Sequence, residues 1–567
     1  MGPERVGRGP PVLVRGRHGY DVAVSGPVVS MRAFASLRTI GSSLPALGKS
    51  GLLGPYTPGQ AVRAVRAVAR TGINLGAVYP LAAALHPGGT AAVDDAGRAT
   101  FAEMDRRSAA VAAGLAERGI DASSRVAVLC RNHRGFLLAV AALGRLGADT
   151  VYLNTGFSGP QLAAVTVAEG VGALIVDEEF LGVAADVDPS IPVIVAWFAR
   201  EATARRHPTL QAMLADDRPP GPAPRPGRAG RQVLLTSGTT GTPKGADRGP
   251  PNDPGPVLGL LARIPYRRSD TTVMAAPMFH AWGLANTALA LAFGATIVTA
   301  RHFDPEDTLR LVAETRADVL VAVPVMLQRI LELPDDVTGR YDVSSLRAVA
   351  LSGSALPGGL ALRWMDAFGD NLYNLYGSTE IGWVSVAGPA DLRAAPGTAG
   401  RILPGVDVRF VDATGGAVAA GTPGRILVAS ALTFDGYTGG GGKEVLDGAM
   451  ASGDVGHLEG GLLFVDGRDD DMIVSGGENV FPREVEDLIA DHPDVVEVSV
   501  AGVPDDEFGQ RLEAWVVRRP GSTLDADAVR SLVRSRLARY KVPRAVHFVD
   551  RLPRTTTGKV LRRALTR

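Results

Sequence analysis

The feature that most constrains this chain is the alternation of apolar segments between residues 91 and 176. Thr100 and Glu103 form a Thr-x-x-Glu capping box ahead of an alanine-rich helix that ends near Gly119. A strand over residues 125–130, a helix over 135–146, a strand over 150–153, a helix from Pro160 and a strand over 172–176 follow. Strands separated by helices predict an α/β fold of doubly wound, mostly parallel sheets. Further strand–helix units are expected at residues 318–333 and 347–368. At Gly467–Arg468 the rhythm changes to a helix (482–491), two strands (495–503 and 511–518) and a helix (525–539), a small α+β arrangement. At 567 residues the chain is too long for one core. Residues 1–30, rich in Gly, Pro and Arg, are expected to be a disordered extension, 31–467 a large domain and 468–567 a small mobile one. Residues 217–230, 249–255 and 439–442 are expected to be surface loops.

Charge narrows the function. With 59 basic and 59 acidic side chains, there is no electrostatic case for a nucleic-acid partner. The single cysteine, Cys130, excludes a disulfide framework and fits a buried thiol in a cytoplasmic protein. Residues 271–300 carry no Lys, Arg, Asp or Glu, yet Pro277, Gly283, Asn286 and Gly294 interrupt them. They read as a strand, a loop and a buried helix, not a transmembrane segment. Peripheral membrane contact stays open.

Chemistry concentrates in a few strings. Leu234 and Leu235 lead into Thr236, Ser237, Gly238, Thr239, Thr240, Gly241, Thr242, Pro243, Lys244 and Gly245. Small residues let backbone N–H groups curl round an anion, while hydroxyls and an ammonium add donors, so the run suits a polyphosphate. It is not a Walker loop, because Lys244 is followed by Gly245. The string resembles the phosphate loop of the adenylate-forming superfamily of acyl-CoA synthetases, nonribosomal adenylation domains and luciferases. A second string, Asn374-Leu375-Tyr376-Gly377-Ser378-Thr379-Glu380, is similar to that superfamily's Tyr-Gly-x-Thr-Glu motif.

The resemblance implies roles residue by residue. The loop residues Thr236 to Gly241 and Lys244 bind ATP; Tyr376 and Gly377 hold adenine with Asn374 on its amine, and Ser354 and Ala355 lie along it. Thr379 donates to the α-phosphate, and Glu380, with Thr236, holds Mg²⁺. Asp454 and Arg468 hold the ribose, and Asp470 is the hinge. Ser475, Gly476 and Gly477 line the pantetheine tunnel of coenzyme A. Lys559, in Thr-Thr-Gly-Lys, bridges the substrate carboxylate and the α-phosphate. His280, Trp282 and Gly283 position the acyl substrate.

What the resemblance implies overall is a fatty acid–CoA ligase. Its substrates are ATP with Mg²⁺, coenzyme A and a medium- or long-chain fatty acid, and the loop wording is similar to actinobacterial fatty acyl-CoA synthetases. The alternatives are a fatty acyl-AMP ligase that loads a carrier protein, and a non-enzymatic nucleotide binder.

Overall fold

The computed structural model describes residues 13–15, 21–23, 48, 50–51, 54, 56–71, 75–214, 228–236, 244–247, 255–469, 473–475, 478–505, 509–537, 541–555 and 558–566. The capping box forms as expected: the Thr100 hydroxyl accepts from the Glu103 N–H at 3.2 Å and the Glu103 carboxylate accepts from the Thr100 N–H at 2.7 Å. It opens helix Phe101–Ala116. Two large sheets follow from the predicted alternation. In the first, strands Gln232–Thr236, Asp149–Tyr152, Arg125–Leu129, Ala173–Asp177 and Val193–Trp197 run parallel in that spatial order. Lys244–Asp247 and Gly436–Tyr437 extend its near edge antiparallel.

In the second sheet, Leu372–Ser378, Ala348–Leu351, Val319–Ala322, Thr271–Met274, Thr296–Val298 and Thr90–Asp94 are parallel neighbours. Antiparallel strands close both of its ends. Helix Arg134–Leu146 is apolar on nearly every side and is buried along nearly its whole length within the largest core. A helix without a polar face belongs between layers, where no side meets water. The charge-free stretch resolves into strand Thr271–Met274, helix Ala281–Ala292 and a further strand, Thr296–Val298. Among the described residues no helix is long and apolar enough to cross a membrane. Cys130 is buried, its thiol facing the Ile175 carbonyl, and burial pushes it far above its ordinary range.

A third, antiparallel sheet contains Asp407–Val411, Gly424–Ala429, Ala449–Glu459 and Leu462–Arg468. After it come strands Val495–Asp505 and Gly509–Arg518, with helices Pro482–Ala490 and Ala526–Arg536, around a separate apolar cluster that includes Val485, Val500, Val516 and Val529. Within residues 1–30 the described segments Leu13–Arg15 and Asp21–Ala23 form a short antiparallel pair. Two expectations differ in detail. The loop expected over 249–255 ends earlier, because Gly255 already begins helix Gly255–Arg263. The last long helix stops at Arg536.

Candidate active site

The parallel strands of the second sheet end side by side, and their carboxyl ends and the segments leaving them carry His280, Ser354, Ala355 and the Asn374–Glu380 string. This is where open α/β sheets hold ligands. Asn374 lies opposite Leu351 in register, which sets it beside the loop of Ser354 and Ala355. The Asn374 side chain is buried and its Oδ1 has no hydrogen-bond partner. A buried acceptor without a donor is costly, so this one suits a ligand amine. Tyr376 sits at an irregularity in the strand pairing. At Gly377 a Cβ would collide with the Gly382 carbonyl, so the tight return of the chain requires glycine there.

The Tyr376 hydroxyl donates to Asp454 Oδ2 at 2.6 Å. Asp454 and Arg468 face each other across the third sheet, with Arg468 Nη1 3.5 Å from Asp454 Oδ1. Burial pushes the Asp454 carboxyl up, opposed by the Tyr376 hydroxyl and by the charges of Arg468, Lys443 and Lys559. The Lys559 charge therefore reaches the carboxylate expected to hold ribose. The turn that carries Lys559 is closed by the Thr555 N–H donating to the Lys559 carbonyl at 2.7 Å. Gly558 has φ +81°, and a Cβ there would strike Val325, at the start of helix Pro324–Leu331. Only glycine allows that turn to lie so close.

Glu380 accepts from the Ser378 hydroxyl at 2.9 Å and from the Tyr437 hydroxyl at 3.3 Å. Lys244 stands opposite Thr236 in an antiparallel pair of strands. Its ammonium lies 5.5 Å from the centre of the Tyr437 ring. Ser237, Gly238, Thr239, Thr240 and Gly241 lie outside the described residues, as do Asp470, Gly476 and Gly477; Thr236 and Ser475 are described as backbone only. Thr379 is half-buried beside Glu380.

His280 precedes helix Ala281–Ala292, its ring 4.3 Å from that of Phe279. Its Nε2 is buried without a partner, and burial lowers its pKa to about 4. Trp282 is core: its indole N–H donates to the Ala322 carbonyl at 3.2 Å. Gly283 packs against the Pro277 carbonyl. Sequence reasoning missed Asn132, whose amide donates to the Met274 and Ala276 carbonyls and accepts from the Met278 N–H. Those bonds fix the loop that delivers His280. Tyr437 was missed too, since an aromatic ahead of a glycine run carries no chemical signature.

The His280 environment gives a pH prediction. The imidazole is neutral in the fold at pH 7 and charges in the unfolded chain at its ordinary pKa, about 6.5. Stability is then lost as the pH falls from about 6.5 towards 4, because the unfolded state binds the proton first. His280→Gln should lack that loss, so urea midpoints of the two proteins should diverge at pH 5 in favour of the variant. Parallel midpoints would show that the ring is solvated.

Comparison with known proteins agrees with this geometry. The model of the AMP-binding enzyme family matches residues 81–438, and that of the AMP-binding enzyme C-terminal domain matches residues 484–559. A feruloyl-CoA synthase of Amycolatopsis sp is 35% identical over 493 residues, covering 85% of this chain and 95% of that protein. An indoleacetate–CoA ligase of Aromatoleum aromaticum is 34% identical, covering 84% and 94%. The ATP-bound structure of MatB from Rhodopseudomonas palustris has a TM-score of 0.75 at 28% identity, covering 87% of this chain and 98% of that one. The acids in the first two names are aromatic, and neither is a fatty acid. The chain belongs to the AMP-binding enzyme family, within the adenylate-forming superfamily, and is an AMP-forming acid–thiol ligase that uses ATP, Mg²⁺ and coenzyme A.

Proposed function

We propose that the protein activates an apolar carboxylic acid, with ring-bearing acids ranked ahead of medium- or long-chain fatty acids. The observation that carries the reading is the Tyr376 hydroxyl and Arg468 on Asp454, beside the buried, unpartnered Asn374 Oδ1. In the first step a carboxylate oxygen attacks the α-phosphorus of Mg·ATP, pyrophosphate leaves, and an acyl-adenylate forms. Asn374 accepts from the adenine amine, Asp454 takes the ribose hydroxyls, and Glu380 holds the magnesium of the substrate. Lys559 neutralises charge as it builds on the α-phosphate and the acid.

In the second step the thiol sulfur attacks the acyl carbon, AMP departs with the bonding pair, and the thiol proton goes to solvent. The small domain, residues 468–567, turns about Asp470 between the steps, withdrawing Lys559 and presenting the Ser475–Gly477 stretch to pantetheine. His280, neutral and with an unpartnered Nε2, faces the substrate carboxylate. Phe279 beside it offers an apolar wall to the acyl group. Aromatic relatives support a ring-bearing acid; the wording of the phosphate loop supports the fatty acid.

The test is pyrophosphate release with benzoic, cinnamic and arylacetic acids and a fatty series from acetate to oleate, with and without coenzyme A. Preference for a ring-bearing acid, with turnover requiring coenzyme A, is expected. A maximum within the fatty series would reverse the ranking. Adenylate that accumulates with coenzyme A present would assign a carrier protein as acceptor, and no release with any acid would refute the reading.

A further inference from the structure

The strand that closes the first sheet comes from far along the chain. Gly436 and Tyr437 pair antiparallel with Asp247 and Ala246, just beyond the phosphate-loop lysine. The Thr438 N–H donates to the Gly245 carbonyl at 2.9 Å, and its hydroxyl donates to the buried Glu169 at 2.6 Å. Two residues before this strand, the Phe434 N–H donates to the Glu380 carbonyl at 2.8 Å, and the Phe434 ring meets the Tyr437 ring edge-on at 4.9 Å. Residues 434–438 thus bind at one end to the acidic loop of the second sheet and at the other to the exit of the phosphate loop in the first. Tyr437 spans the interval: its hydroxyl reaches Glu380 and its ring lies beneath the Lys244 ammonium.

We propose that Tyr437 is a positioning residue that holds the Lys244 ammonium and the Glu380 carboxylate at a fixed separation, so that both engage the polyphosphate and magnesium of Mg·ATP together. This rests on the adenylating reading above. The two groups have opposite charge, and with nothing between them they would pair directly and face away from the nucleotide. The aromatic face attracts the cation while the hydroxyl donates to Glu380 Oε1 and that of Ser378 to Oε2, so each carboxylate oxygen keeps a lone pair for metal.

The test is Tyr437→Phe, which deletes the hydroxyl and keeps the ring, read by titration calorimetry of ATP without acid or coenzyme A. Losing one hydrogen bond to a charged group predicts about a tenfold weaker affinity for Mg·ATP, with metal-free ATP bound as in the native protein. In a Glu380→Gln background the same substitution should have no further effect. Tyr437→Leu, which also removes the ring, should weaken metal-free ATP as well. Unchanged Mg·ATP affinity in Tyr437→Phe would overturn the proposal. So would an equal loss with and without magnesium accompanied by a lowered urea midpoint, the mark of a merely structural strap. If the native protein binds no Mg·ATP at all, the adenylating reading itself fails, an outcome distinct from either.

Discussion

Lys559→Ala should lower acid-dependent ATP–pyrophosphate exchange by about 10²–10³-fold, the usual loss when a preorganised charge is removed from developing negative charge. The same variant should convert separately prepared acyl-adenylate and coenzyme A to thioester at the native rate, because the proposed mechanism uses Lys559 in the first half-reaction alone. This split separates a catalytic lysine from a structural one. Its turn is held by backbone hydrogen bonds and by the contact of Gly558 with Val325, none of which needs the ammonium. Truncation should therefore leave the urea midpoint unchanged. Equal loss of both half-reactions would assign Lys559 to holding the small domain in place.

Asp454→Ala is the second large effect. The carboxylate accepts from Tyr376 and pairs with Arg468, and it is the proposed ligand of the ribose hydroxyls. Losing two hydrogen bonds to a charged acceptor costs about 3 kcal/mol, or roughly a hundredfold in kcat/KM for ATP. The KM for the acid should hold steady. Asp454→Asn, which keeps one acceptor oxygen, should recover part of the loss. If ATP and acid respond equally, the carboxylate supports the whole site and not the sugar.

The readable parts of the molecule are those whose chemistry is contiguous in the chain. Thr100 and Glu103 are three residues apart and cap a helix by themselves. The Asn374–Glu380 string rides on one strand and its loop, so spacing alone keeps its members together. Helix Arg134–Leu146 was legible because its residues are apolar on nearly every side. Tyr437 and Asn132 were not legible, since each acts on residues more than fifty positions away and strand pairing alone decides who meets whom. The anchoring of Trp282 was not legible either: its indole N–H finds the Ala322 carbonyl forty positions away. The identity of the acid was not legible for a related reason: pocket depth is set by packing between loops of separate strands.

The late strand Gly436–Tyr437 also bears on how the protein is made. Its partner Lys244–Asp247 leaves the ribosome about 190 residues earlier, a delay of roughly 10–40 s at ordinary rates of synthesis. During that interval the first sheet presents a bare edge next to the lysine of its nucleotide loop. Such an edge can recruit another nascent chain, and the Lys244 side chain has no aromatic ring to rest on. Translation thus imposes an order on assembly: the edge beside Lys244 stays open until residue 438 has emerged, with the ribose ligands still to follow, and pausing or truncation before that point yields a half-closed sheet prone to self-association.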